Sequence, residues 1–192
     1  MNTKSGWADV TAVVLAGGRA TRLGGVDKGL QPLQGKPLIE HVLARIEKQA
    51  GTILINCNRN ADLYARYGHT LIPDRLPDFP GPLAGLHAAM ACCTTPWLLT
   101  VPCDSPFLPD DLGTRLRAAI GDAPAVLACT PAQQPVFALY RPSLLPSLES
   151  FLASGERGVG HWLSRIGAVG ADFSDCPEAF RNLNTADDWP GC

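Results

Sequence analysis

The sequence lacks the features of membrane-spanning and nucleic-acid-binding proteins. No apolar run approaches the roughly 20 residues that cross a bilayer, and residues 1–7 contain no hydrophobic core that could serve as a signal peptide. The net charge is −2, so no overall positive field attracts nucleic acid. We therefore predict that neither nucleic acid nor a membrane is a partner.

Several metal-binding and nucleophilic motifs are also missing. The seven cysteines form no Cys-x-x-Cys pair, the four histidines have no ligand spacing, and there is no Gly-x-Ser-x-Gly elbow. These absences argue against a zinc site, a redox motif and a serine hydrolase. Because the number of cysteines is odd and several lie in apolar segments, we expect free thiols in a reducing compartment and predict a cytoplasmic location.

Strand-like and helix-like segments alternate along the 192 residues, whose composition, 46% hydrophobic and 18% charged, is typical of a soluble globular protein. Strands are predicted over residues 10–16, 52–57, 69–73, 97–103, 125–130, 135–140 and 168–173. Helices are predicted over residues 37–50, 62–67, 109–120, 142–153, 158–166 and 184–189, and another follows the turn at residues 80–85 and runs through Cys93. This alternation predicts an α/β fold, a three-layer α/β/α sandwich with a mostly parallel sheet.

A glycine-rich loop follows the first predicted strand, with the sequence LAGGRATRLGGVDK over residues 15–28. Paired glycines let backbone N–H groups approach a ligand closely, because no Cβ stands in the way. Three cations, Arg19, Arg22 and Lys28, surround the same loop, and this combination suits a polyphosphate. The spacing fits neither a Walker A motif nor a Gly-x-Gly-x-x-Gly fingerprint. A glycine-rich surface turn with solvated charges is the alternative.

Polar residues follow four of the predicted strands. Gly17 and Gly18 follow the first, Asn56 and Asn58 end the second, and Asp74 and Asp104 end the third and the fourth. Ligands of open α/β sheets bind beyond the carboxyl ends of the strands, so we expect these groups to converge at one edge.

The carboxylate of Asp104 directly follows a strand that we predict to be buried on both faces. An ionised carboxylate in such a place is costly unless it is paired or coordinated. An arginine, a helix N-terminus or a metal ion could serve as the partner. We favour Mg²⁺, because hard oxygen ligands beside a triphosphate suit that ion.

These motifs resemble those of the molybdenum cofactor guanylyltransferases, a branch of the nucleotidyltransferases with a Rossmann-like fold. The resemblance depends on LAGG at residues 15–18, GGVDKGL at 24–30, PCDSP at 102–106 and NLNT at 182–185, so it covers almost the whole chain. It implies a Mg²⁺-dependent enzyme that transfers GMP from GTP to the terminal phosphate of molybdopterin and releases pyrophosphate. We predict one domain over residues 1–192, with a nucleotide-binding part over about 8–107 and an acceptor-side part over about 108–192.

The resemblance also implies roles for individual residues. It assigns catalytic roles to Asp104, Lys28 and Arg22, with Asp104 as the metal ligand. The implied ligand-binding residues are Leu15, Ala16, Gly17, Gly18, Arg19, Lys28, Asn56, Asp74, Gly81, Pro82, Leu83, Asp104, Asn182 and Asn184. Among these, Asp74 has the right chemistry for guanine, because a carboxylate accepts hydrogen bonds from the N1–H and N2–H₂ edge. A structural turn is the alternative role of Asp74, helix capping that of Asn184, and simple solvent exposure that of Arg19 and Arg22.

The sequence alone leaves other functions open. One is a cytidylyltransferase that acts on the same pterin, or a sugar-phosphate nucleotidyltransferase. Another is a non-catalytic GTP-binding partner in molybdoenzyme maturation. If the resemblance holds, the substrates are GTP and molybdopterin, and the protein partners are molybdenum cofactor biosynthesis proteins and molybdoenzyme chaperones.

Overall fold

The computed structural model describes residues 6–17, 27–76 and 81–183, and the elements below belong to those ranges. The strands are β1 (Val10–Leu15), β2 (Pro32–Leu33), β3 (Lys36–Pro37), β4 (Thr52–Asn56), β5 (Thr70–Ile72), β6 (Trp97–Pro102), β7 (Ala125–Cys129), β8 (Gln133–Tyr140) and β9 (Val169–Asp172). The α-helices are α1 (Leu38–Ile46), α2 (Ala61–Tyr64), α3 (Pro82–Cys92), α4 (Leu112–Ala119), α5 (Leu145–Ala153) and α6 (Val159–Arg165). Short 3₁₀ turns cover Lys28–Leu30, Ala65–Tyr67, Pro142–Leu144 and Pro177–Phe180.

The main sheet has seven strands in the order β5-β4-β1-β6-β8-β7-β9. The first four strands of that order are parallel neighbours, and β9 is parallel to β7. Strand β8 runs antiparallel to both β6 and β7. The Thr100 hydroxyl adds a side-chain contact between β6 and β8, because its Oγ1 donates to the carbonyl of Val136 at 2.7 Å. The predicted mostly parallel sheet is confirmed.

Helices cover both faces of the sheet, as the alternation of side chains along β1 illustrates. Ala12 and Val14 pack on one face in a core shared with α1 and α4. Val13, on the opposite face, packs in a core shared with α3, α5 and α6. Because successive residues of a strand point to opposite faces, a strand that is apolar throughout requires a layer of helices on each side. The predicted α/β/α sandwich is therefore confirmed.

The structure differs from the sequence prediction in local details. Helix α4 begins at Leu112 rather than at Pro109, because residues 109–111 form a turn in which the Leu112 N–H donates to the Pro109 carbonyl at 3.3 Å. The segment predicted as one helix from Pro142 begins as a 3₁₀ turn before α5. The small β2–β3 hairpin was not predicted. The helix predicted over 184–189 lies outside the described residues, and the division into two parts near residue 107 stays a prediction.

No helix within the described ranges has the length and apolar character that crossing a membrane requires.

Candidate active site

A cleft of about 280 Å³ lies at the carboxyl ends of the parallel strands. The strand ends are aligned there, since Leu15 at the end of β1 is in register with both Asn56 on β4 and Pro102 on β6. The cleft brings together these predicted site residues: Leu15, Ala16, Gly17, Lys28, Asn56, Gly81, Pro82, Asp104 and Asn182. The predicted convergence is therefore present for the groups that follow the first, second and fourth predicted strands, namely Gly17, Asn56 and Asp104.

The remaining predicted site residues are not among those that line the cleft in the described part of the chain. Gly18, Arg19, Arg22 and Asn184 lie outside the described residues. Leu83, in the first turn of α3, is only 3% exposed and points into the core between that helix and the sheet. Asp74 lies next to the cleft and contacts it through Asn56, as described below.

An ion pair at the cleft joins two of the predicted catalytic residues. Lys28 Nζ lies 3.3 Å from Asp104 Oδ2, and the two side chains are 34% and 12% exposed, respectively. The lysine thus partly offsets the cost of placing a carboxylate at the edge of the core. Among the partners considered from the sequence, the structure provides neither an arginine nor a helix N-terminus for Asp104 within the described ranges.

The residues that follow Asp104 fix the position of the chain segment around Asn182. The Ser105 hydroxyl donates to Asn182 Oδ1 at 2.6 Å, and the Leu183 N–H donates to the Asp104 carbonyl at 2.8 Å. These two contacts join segments that are far apart in the sequence. They explain how Asn182 comes to line the cleft.

Asn56 connects the glycine loop to Asp74 beneath the cleft. This buried amide donates from Nδ2 to the Ile72 carbonyl at 3.1 Å and to Asp74 Oδ1 at 2.9 Å. Its Oδ1 faces Gly17, where an added Cβ would lie only 2.7 Å from that oxygen. An added Cβ on Gly85 of α3 would also overlap Asn56 Oδ1. Two glycines are therefore required for Asn56 to occupy this position.

The backbone next to Lys28 is fixed by its neighbour Asp27. The Tyr64 hydroxyl donates to Asp27 Oδ1 at 2.6 Å, and the Asn60 amide donates to Asp27 Oδ2 at 2.9 Å. Tyr64 is fully buried, and this burial raises the pKa of its hydroxyl, which therefore stays protonated as a donor. Gly29 packs directly against this hydroxyl, since an added Cβ would lie 2.6 Å from Tyr64 Oη.

Other lining residues were not predicted as site residues, namely Asp27, Arg59, Pro102, Cys103 and Val136. Among them, Cys103 is no candidate nucleophile, because burial, reinforced by the charge of Asp104, raises the pKa of its thiol. Arg59 adds a second cation to the described lining of the cleft, besides Lys28. The sequence feature that could have identified Arg59 as a site residue is its position three residues after the end of β4.

Comparisons with known sequences identify one family of proteins that are similar to this chain. The family model described as "MobA-like NTP transferase domain" matches residues 12–169. A molybdenum cofactor guanylyltransferase from Cupriavidus metallidurans is 45% identical over 188 residues, which cover 94% of this chain and 92% of that protein. A protein of the same name from Ralstonia nicotianae is 44% identical over 190 residues and 93% of each chain.

Comparisons with solved structures agree with the sequence comparisons. Molybdopterin-guanine dinucleotide biosynthesis protein A from Archaeoglobus fulgidus matches with a TM-score of 0.77 at 26% identity, covering 93% of this chain and 94% of that one. The 4-diphosphocytidyl-2C-methyl-D-erythritol synthase from Anaerococcus prevotii matches with a TM-score of 0.71 at 13% identity, covering 98% and 96%. At that identity, the second likeness concerns the fold alone.

Proposed function

This chain belongs to the MobA-like NTP transferase family, and we propose that it transfers GMP from GTP to the terminal phosphate of molybdopterin, releasing pyrophosphate. The observation that carries this proposal is the Lys28–Asp104 pair in a cleft whose floor is formed by Gly17 and Asn56. The curated relatives of the same length bear the name molybdenum cofactor guanylyltransferase. The product is the molybdopterin guanine dinucleotide cofactor.

The reaction needs positioning and charge more than a protein nucleophile. The terminal phosphate of molybdopterin is already anionic at neutral pH, so its oxygen attacks the α-phosphorus without a general base. One bond forms between that oxygen and the α-phosphorus, and the bond from the α-phosphorus to the bridging oxygen of pyrophosphate breaks. Lys28 and the backbone next to Gly17 hold the phosphates and stabilise the charge that develops on them.

We propose Mg²⁺ as the cofactor, with Asp104 as its protein ligand. No group of three or more acidic, histidine or cysteine side chains that could hold a metal occurs within residues 6–17, 27–76 and 81–183. Two carboxylates line the cleft, and the oxygens of Asp27 accept hydrogen bonds from Tyr64 and Asn60. Asp104 as the one protein ligand suits an ion that takes its other ligands from water and substrate phosphates, which is the usual mode of Mg²⁺. When bound, the ion neutralises charge on the phosphates and orients the two reactants.

Guanine recognition is assigned to Asp74, with Asn56 beside it. The Asp74 carboxylate accepts hydrogen bonds from donors on the base, and guanine offers two adjacent donors, N1–H and N2–H₂. Cytosine and uracil do not offer that pair of donors. We assign the other wall of the base pocket to Gly81 and Pro82, which line the cleft at the start of α3.

Nucleotide selectivity tests this assignment. In calorimetric titrations with Mg²⁺, we expect GTP to bind at least about tenfold more tightly than CTP or UTP, because only guanine satisfies both carboxylate oxygens. Turnover is then measured with labelled GTP and molybdopterin by following pyrophosphate release. A preference for CTP would support the cytidylyltransferase alternative. Binding of GTP without pyrophosphate release would support a non-catalytic maturation partner.

The close approach of the Asn56 side chain to Gly17 provides a second prediction. We expect Gly17→Ala to raise the KM for GTP by about tenfold or more, because the new methyl group displaces Asn56, whose Oδ1 would lie 2.7 Å away. The matched control is Gly160→Ala in α6, where an added Cβ meets nothing within 4 Å. Steady-state kinetics of both variants check the prediction, and an unchanged KM in Gly17→Ala would contradict it.

We further propose that the protein works in the cytoplasm. The six cysteines of the described ranges are free thiols, which suits a reducing compartment. Molybdenum cofactor biosynthesis proteins and molybdoenzyme chaperones stay predicted partners.

A further inference from the structure

Asn58 lies two residues beyond the end of β4, and its side chain makes contacts that the proposed reaction does not use. Its Oδ1 accepts the backbone N–H of Asp74 at 2.8 Å, and its Nδ2 donates to Asp74 Oδ2 at 2.7 Å. The same Nδ2 lies 3.1 Å from the carbonyl of Gly17. One amide therefore contacts the backbone and the carboxylate of Asp74 as well as the glycine loop.

The contacts to Asp74 fix its carboxylate in one orientation. Asn56 donates to Oδ1 and Asn58 donates to Oδ2, so each oxygen has one hydrogen bond from a different amide. A carboxylate oxygen can accept about two hydrogen bonds. One acceptor position on each oxygen thus remains for a ligand, and guanine offers two adjacent donors that could fill the two positions.

Only an amide at position 58 can make this set of contacts. An aspartate there would place a second carboxylate against Asp74 and could not donate to it. An alanine would leave Asp74 Oδ2 without its donor and the Asp74 N–H without its acceptor. The two hydrogens of Nδ2 serve the two acceptors, Asp74 Oδ2 and the Gly17 carbonyl.

We propose that Asn58 is a positioning residue for base selectivity, which acts by holding the Asp74 carboxylate edge-on to the guanine N1–H and N2–H₂ groups. This inference rests on the proposed function, in which Asp74 contacts the base. Asn58 itself orients Asp74 and reaches the nucleotide through it. It also couples the base site to the phosphate-binding loop through Gly17.

The test compares GTP with ITP, whose hypoxanthine base lacks the N2 amino group. We expect the wild-type protein to favour GTP over ITP in kcat/KM by about tenfold or more, since a site built for a hydrogen-bond donor rejects an analogue without it. Asn58→Ala should reduce this ratio to within about threefold of unity, because a carboxylate held through Oδ1 alone, by Asn56, can turn away from the orientation that distinguishes the two bases. Asn58→Asp, which has the same shape, should reduce it as well.

The matched control is Asn60→Ala. Asn60 lies in the same segment but donates to Asp27 rather than to Asp74, so its replacement should affect GTP and ITP equally and leave their ratio unchanged. Thermal unfolding of each variant checks folding, and if Asn58→Ala does not fold, Asn58→Asp decides the outcome.

The outcomes separate this inference from the proposed function. A wild-type preference for GTP that persists in a folded Asn58 variant would overturn the role of Asn58 alone. A wild-type protein that uses GTP and ITP equally well would overturn both the role of Asn58 and the guanine contact of Asp74.

Discussion

Replacement of Asp104 by asparagine is expected to lower the kcat of GMP transfer by about a thousandfold. Asparagine keeps the shape of the side chain but removes the negative charge that pairs with Lys28 and that we assign to the metal ion. The fold should survive, because the neighbouring contacts of Ser105 and Leu183 use other atoms. Pyrophosphate release across a range of Mg²⁺ concentrations, together with thermal unfolding, measures both effects.

Asp110→Asn is the matched control for this experiment. Its side chain is 64% exposed and pairs with Arg45 at 3.4 Å, away from the cleft. We expect this variant to keep wild-type turnover. Near-normal GMP transfer by a folded Asp104→Asn variant would refute the metal assignment, since no other residue is proposed to hold the ion.

Removal of the Lys28 charge has the second-largest expected effect. Lys28→Met should lower kcat/KM for GTP by about a hundredfold, because the cation closest to Asp104 in the cleft no longer balances the phosphates. Lys28→Arg restores the charge but distributes it over a planar group, so we expect partial recovery. Steady-state kinetics at saturating Mg²⁺ give kcat/KM for the wild type, Lys28→Met and Lys28→Arg.

The control for Lys28 is Lys36→Met in the β2–β3 hairpin. Lys36 is exposed and does not line the cleft, so its replacement tests a general change of charge. Equal losses in the two variants, or a loss below about threefold in Lys28→Met, would show that the position of the Lys28 charge is unimportant.

The sequence predicted the elements whose signals are long or chemically specific. Residues 97–103 were predicted as a buried strand ending at Asp104, and β6 ends at Pro102 with that carboxylate at the cleft. Apolar runs of this length between glycines, prolines and acidic residues define parallel strands well. The expected meeting of four strand ends followed from the geometry of a parallel sheet.

Features with a very short, ambiguous or non-local signal were not predicted. The β2–β3 hairpin has only two residues in each strand, which is too short for an alternating pattern to be visible. The Tyr64–Asp27 hydrogen bond joins residues 37 positions apart, and neither residue type indicates its partner. The delayed start of α4 at Leu112 depends on a local turn, because a proline is compatible with both a turn and a first helical position.

The antiparallel strand β8 has a consequence for how substrates enter and products leave. Residues 98–100 of β6 pair with residues 138–140 of β8, and Thr100 adds a hydroxyl contact to the same junction. Bending the molecule there would break several main-chain hydrogen bonds at once. The continuous pairing across this junction therefore argues against opening of the cleft as two lobes about a hinge between β6 and β8.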